Sequence, residues 1–525
     1  MTEGSVGRNG RRRRAPTRVP RATRGAGLRS LSAMRHLLAL TLSLLAVAAL
    51  PAEALGVPEA ARGQAGSEGR TRPPEAGPQA VSSADPWSLP APIRAQTTTP
   101  PLPGTPAVAA NGSGQAVAVA DTGGALPDIG PHTMASVFSD GAFTDPARLT
   151  GRNVRMGPGA GGVLPYGRTR LLGAGVRDVT SESSQAVVAF GRLAPGGATL
   201  DAPRPLGPSN LRVLRTAIAV NARGDAAVVF PVCRTGSCNR VLVYLAVRRA
   251  GGSSFRSIRL ADAGGPLPQV AAAVNDRGDA LAVWTQGATA FARIRTAGGR
   301  LRALQRVGAT VRGQHLAPSA ALSRHRAELV GWLAQSVSEG DPSDGIAWVA
   351  QARDGGAFTA TRLGGVPAAA GTGHYVSEAG VRVAYGSRGR AIVSWTAFDG
   401  DPATGRFSVR LAQLRGAANS PSQSLLGVHT VSDPAVDTVL SDLVVDRSGP
   451  EYVLMLAGVR GSDGSPTAAG TSVRASGGEE VAPAATGAAA PFGVHGTLLD
   501  DGRVLTVWGT GQGAAFSVRA TPTAP

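Results

Sequence analysis

Residues 271–284 read AAAVNDRGDALAVW: a short apolar run, a polar knot closing on Gly278, and a second apolar run ending at Trp284. Asn275 stands three residues before Gly278, where a short side chain accepts backbone N–H groups and starts a turn, and the glycine supplies the positive φ that ends it. The flanking runs are too short and too β-branched for helices and are apolar at both parities. They therefore predict a β-hairpin buried on both faces.

The stretch recurs. Gly114 precedes Ala120, Gly224 precedes Phe230, Gly278 precedes Trp284, Gly389 precedes Trp395, Gly449 precedes Met455 and Gly502 precedes Trp508, each by six residues. Two degenerate copies complete the set, DVTSESSQAVVAF with Ser184 and ALSRHRAELVGW with Arg326 at the glycine position. Asn111, Asn221, Asn275 and Asp446 are the turn-starting residues, and Trp284, Trp332, Trp395 and Trp508 are the expected core anchors. Behind each hairpin comes a tail such as TQGATAFARIRTAGGRLRALQRV, which reads as a third strand, a Gly-rich turn and a fourth strand. Four antiparallel strands per unit, repeating at a mean spacing of roughly 55 residues, predict an all-β fold, a β-propeller of seven or eight four-stranded blades over 105–525. Eight starts suggest eight blades. Seven is the alternative, because the unit near 172–208 looks a strand short and the last one runs out after AAFSVRA. A strand supplied from just before residue 105 would complete that last blade and close the ring.

The hairpin LVVDRSGPEYVLM, residues 443–455, carries an apolar-Asp-x-x-Gly-x-x-apolar pattern. It resembles the repeats of NHL-type bacterial propellers, and the likeness extends over roughly 105–520. The resemblance implies the propeller fold and transfers no activity, since such propellers host both binders and enzymes.

Composition narrows the function. All 53 basic residues of the 525-residue chain are arginine, so Schiff-base, P-loop and general-base lysines are excluded. The net charge of +18 suggests nucleic acid at first sight. Residues 1–54, however, hold ten of the arginines against Glu3 and Glu53, and the remaining 43 face 33 acids with no clustered stripe along the sequence. We therefore expect no nucleic-acid partner.

Met34 opens MRHLLALTLSLLAVAALPAEALG, whose basic start, apolar run from Leu37 to Leu50 and Ala52-Glu53-Ala54 form a secretory signal peptide over 34–54. Residues 1–33 then read as a basic extension upstream of the true start. Residues 55–104, rich in Pro, Gly and Ala without hydrophobic periodicity, read as a disordered linker in which Trp87 is isolated. The apolar run is too short for a comfortable span, so no stable membrane anchor is expected. Cys233 and Cys238, the two cysteines, are expected to pair in an oxidising compartment. The expected location is secreted or envelope-associated, and the expected state a monomer.

Loops joining strands 1 to 2 and 3 to 4 are short and uniform, whereas those joining strands 2 to 3 and successive blades are long and varied. The second face is thus the expected binding face. His132, His315, His374, His429 and His495 all read as belonging to its loops, and His315, His374, His429 and His495 are the metal candidates. Asp399 and Asp401 in DGDPATG suggest a calcium loop without the full ligand spacing; no other cofactor is expected. GPGAGG, 157–162, matches GxGxxG, but no helix follows and it reads as a flexible loop. The reading as a whole is a secreted, non-catalytic propeller that binds an extracellular protein or glycan. The alternative is a secreted propeller hydrolase or lyase acting on polysaccharide. That would need paired carboxylates at the central funnel, where the first strands read as almost wholly apolar.

Overall fold

In the computed structural model the described residues are Ala91–Ile93, Leu102 and Pro106–Arg519, with breaks that include 123–129, 234–237, 309–313, 367–379, 400–404, 416–423, 446–450, 461–467 and 484–491. Residues 1–33 and 34–54, expected as a basic extension and a signal peptide, and Trp87 lie outside them. Alternation of short apolar strands with turn residues gives an all-β chain whose described strands form eight antiparallel sheets. Six have four strands, the first has five and the second six.

Each sheet is a blade. The innermost strands are Ala107–Ala110, Gly162–Tyr166, Ala217–Val220, Val270–Val274, Gln314–Leu322, Val381–Tyr385, Asp437–Val445 and Phe492–Leu498 for blades 1 to 8. Each packs against its counterpart in the next blade, and that of blade 8 packs against that of blade 1, so the ring is closed around a central channel. Closure is reinforced at the rim. Ala91 and Pro92 pair with Phe516 and Ala515 as the outermost strand of blade 8, and Ile93 N donates to Ala514 O at 2.9 Å. The propeller thus takes in residues that composition placed in the linker.

The core lies between blades, which is why the strands are apolar on both faces. Trp284 is buried between blades 3 and 4, Trp332 between 4 and 5, and Trp395 between 5 and 6. Phe138, Leu505 and Phe516 fill the seam between blades 8 and 1.

The repeated turn does two jobs. Oδ1 of Asn275 accepts from the N–H groups of Arg277 and Asp279 at 3.0 and 2.9 Å, and Asn221 does the same with Arg223 and Asp225. Nδ2 then reaches the neighbouring blade: Asn221 donates to Asn275 O and Asn275 to Ser323 O, both at 2.9 Å, and Asn111 donates to Arg168 O. Asp446 and Gly449 lie outside the described residues. The aspartate after the glycine is a latch within the blade. Asp225 accepts from Ala250 N and Asp279 from Ala297 N, which ties the first turn to the one between strands 3 and 4. The glycines hold φ between 71° and 93° at 114, 224, 278, 389 and 502. Blade 5 has Arg326 at this place with φ 59°, its side chain bonded to Asp279 of blade 4 and Asp354 of its own blade. At Gly224 a Cβ would also meet the Tyr166 ring at 2.7 Å. Gly224→Ala is expected to lower stability by about 1 to 2 kcal/mol. Urea unfolding with an unchanged m-value would measure it.

Blade 2 corrects the reading of its repeat. DVTSESSQAVVAF joins strands 2 and 3 (Arg170–Asp178 and Ser184–Ala194), so Ser184 is not the counterpart of the turn glycines. The first hairpin of the blade is Gly162–Tyr166 paired with Arg170–Asp178, turning at Gly167 with φ 59°. The second blade is therefore not short of a strand. GPGAGG is an ordered turn closed by Gly161 N on Gly157 O at 2.9 Å, and its last glycine begins the innermost strand. Gly161 and Gly175 allow backbone to approach so closely that a Cβ at either would collide with a carbonyl, of Ala174 and Arg155 respectively.

Candidate ligand site in the central channel

Strand register places one residue from each blade at a common level of the ring. Ala107, Ala217, Ala271 and Ser319 in blades 1, 3, 4 and 5 each sit three residues before the last inner-strand position ahead of the turn, opposite Val119, Val229, Val283 and Gly331, and Gly162 of blade 2 sits four before it, opposite Ala174. The corresponding residues of blades 6, 7 and 8 are Arg382, Asp442 and His495, opposite Ser394, Met455 and Val507. All eight are half-buried, and because their strands are innermost, the surface they keep borders the channel. Five small residues make one side of this level. Three ionisable side chains on consecutive blades make the other. The level falls at or next to the starts of the short inner strands of blades 1 to 4 and 6 and inside the longer inner strands of blades 5, 7 and 8.

The three side chains interact. His495 Nδ1 lies 3.3 Å from Asp442 Oδ2, with about a quarter to a third of each side chain accessible (29% and 27%). Burial acts to raise the Asp442 pKa. The hydrogen bond and charge of His495, the charge of Arg382 and the Leu443 N–H outweigh it and hold the carboxyl below its ordinary range. Burial also pulls the Arg382 guanidinium below its ordinary value, against the attraction of Asp442. A Cβ at Gly380 would collide with that guanidinium, so glycine there is what lets Arg382 lie as it does. Asp442, occupied at His495 Nδ1, leaves Nε2 as the second functional atom of the ring. Arg382 supplies a planar fork of donors suited to carboxylate, sulfate or phosphate.

The sequence-derived candidates are scattered rather than gathered. His315 and His495 lie on inner strands of blades 5 and 8, not in loops, and His429 lies on the exposed outermost strand of blade 6, Ser424–Thr430. His132 is buried at the start of a strand, its Nδ1 against Thr122 Oγ1 and Gly130 O. Asp399 ends the second strand of blade 6, accepts from Ser408 Oγ at 2.6 Å and pairs with Arg410. His374 and Asp401 lie outside the described residues. Among the described residues no three His, Cys, Asp or Glu side chains gather as a metal site, and no helix is long and apolar enough to cross a membrane. Cys233 and Cys238 are bonded, with Cα atoms 4.8 Å apart, across the loop between strands 2 and 3 of blade 3. Sequence reasoning missed Arg382 and Asp442. Aligning the copies on their turns, rather than on the strand that follows, exposes both as charged residues at a position that is Ala or Ser in blades 1, 3, 4 and 5.

These features define a closed β-propeller with a polar arc in its channel. No family model and no curated protein matches the chain. Solved structures do match, at low similarity. The β-propeller domain of the Trilobed protease from Pyrococcus furiosus is 9% identical, covering 69% of this chain and 93% of that one, with a TM-score of 0.38. A protein from Lactobacillus plantarum is 15% identical, covering 65% and 89%, with a TM-score of 0.36. The polysaccharide lyase Uly1 is 10% identical, covering 69% and 88%, also with a TM-score of 0.36.

Proposed function

We propose that this chain is a secreted or envelope-associated, non-catalytic propeller that binds a protein or glycan at its long-loop face, and that an acidic group of the ligand enters the channel mouth. The observation that carries the reading is the divided ring, with Arg382, Asp442 and His495 on three adjacent blades and five small residues at the same level of the others. A rigid ring with varied loops around a polar centre is how binding sites are commonly built. The Cys233–Cys238 bond is compatible with an extracellular location.

The test is a calorimetric titration with acidic and neutral oligosaccharides, using wild type and Arg382→Ala, with ligands checked by mass spectrometry for cleavage. Acidic oligosaccharides should bind saturably, and Arg382→Ala should weaken them by about ten- to a hundredfold, the loss of one charge-assisted contact. Equal binding of neutral and acidic ligands would refute the reading. The alternative of a polysaccharide hydrolase or lyase draws on the Asp442–His495 pair, since an imidazole held at Nδ1 by a carboxylate presents Nε2 as a base. Cleavage in the same incubation would establish it.

A further inference from the structure

The opposite end of the ring carries a second feature. The arginines look dispersed along the chain, but the ring gathers them. Arg168 is the middle residue of blade 2's shorter inner turn, and the third residue of the inner turn is Arg223 in blade 3 and Arg277 in blade 4, all exposed. In blade 5 it is His325, flanked by the exposed Arg324, and Arg390 ends the turn of blade 6. The turns of blades 2 to 5 are bonded each to the next, Gly167 N donating to Ala222 O, Asn221 to Asn275 O and Asn275 to Ser323 O, and the inner strand of blade 6 packs against that of blade 5. The adjoining turns between strands 3 and 4 add the exposed Arg249, Arg300 and Arg353.

The acids of this arc do not cancel it. Asp225 and Asp279 are buried in the turn latches, the first shared by Arg223 and Arg249 and the second bonded to Arg326. Asp354 is held by Arg302 and Arg326, and Asp276 is exposed. Across the ring, blades 8 and 1 carry Asp500, Asp501 and Asp140 at the same end, against Arg503, which pairs with Asp501. One end of the propeller is therefore basic over blades 2 to 6 and acidic over blades 8 and 1.

We infer that this arc is a docking surface for an extended acidic polysaccharide lying along the turns of blades 2 to 6. Guanidinium forks repeated blade by blade suit a polymer that repeats a planar anion. The disulfide fits an oxidising setting in which such polymers occur. The aromatics near the arc are engaged, Tyr166 buried and Phe190 half-buried with Arg248 over both rings, so they offer no platform for nucleobases. This surface is independent of the channel cluster.

Polygalacturonate is the probe, with a single-stranded DNA oligomer of matched charge as competitor and binding followed by fluorescence anisotropy. Polygalacturonate should bind, weaken by about tenfold or more between 50 and 200 mM salt, and be lost in the triple variant Arg168→Glu, Arg223→Glu, Arg277→Glu. The single exposed change Arg277→Gln should weaken binding measurably without touching the fold, and Arg382→Ala should leave it intact. Binding by the folded triple variant within about threefold of wild type would overturn the assignment, as would DNA bound more tightly than polygalacturonate.

Discussion

Asn275→Ala is expected to destabilise the protein by about 3 to 5 kcal/mol, far more than a hairpin turn residue ordinarily commands. The side chain is 3% exposed and fully used. Its Oδ1 accepts from two backbone N–H groups, and its Nδ2 donates to Asp279 Oδ2 and, across the blade boundary, to Ser323 O. Alanine removes a partner from four polar groups, three of them in buried hydrogen bonds, and a buried group left unpaired costs about 1 to 3 kcal/mol; Asp279 Oδ2 keeps Arg326, and water entering the turn recovers part of the rest. Asn275→Asp separates the two jobs, since it keeps the acceptor that builds the turn and loses the donor that joins blade 4 to blade 5. Urea unfolding of both variants is the check. A loss under about 1 kcal/mol for Asn275→Ala would mean that the inter-blade bonds do not hold the ring.

Glu328→Gln should change how stability depends on pH. Glu328 is the second residue of the second strand of blade 5, Ala327–Ser338, is 0% exposed, and has Oε1 accepting from Gly355 N while Oε2 has no hydrogen-bond partner. Burial pushes its pKa up to about 7; the Gly355 N–H opposes this, the Asp354 charge adds to it and Arg302 opposes it. A carboxyl with a raised folded pKa holds a proton that the unfolded chain has released. Stability therefore falls as pH rises from about 4.5 to about 7, by on the order of 3 kcal/mol in total. The amide keeps the acceptor and never ionises. Relative to wild type, Glu328→Gln should gain on the order of 3 kcal/mol between pH 4.5 and pH 7.5. Whatever the amide costs in the pocket is constant across that range, so the readout is the change with pH. A constant difference would show that Glu328 is not buried as described.

How much was legible can be read from single positions. Asn275 and Gly278 announced their turn because its chemistry is local, and Trp284 announced the core because blades bury both faces. The closing strand at Ala91–Pro92 was foreseeable from a last blade that ended early, although its two residues carry no pattern of their own. Blade 2 misled because DVTSESSQAVVAF has the same apolar-turn-apolar form as a first hairpin, while the true inner strand hid in a glycine run. Glycine there is a packing requirement of close backbone approach rather than a mark of a loop. His315 and His495 were assigned to loops because the inner strands start earlier than their neighbours' apolar pattern suggests. Arg382 and Asp442 were invisible as a pair because 60 residues separate them, and only the ring sets their blades side by side. The arginine arc was missed for the same reason.

The channel cluster is the centre of the functional account, and His495 is its most direct reporter. Histidine-selective nitrogen NMR of the full chain, titrated with an acidic oligosaccharide and then a neutral one, reads that ring among the seven histidines of the chain. The account predicts a saturable shift of the His495 Nε2 resonance with the acidic ligand, absent in Arg382→Ala, with Nδ1 staying bonded to Asp442. A titration that binds ligand yet leaves His495 unmoved would contradict it.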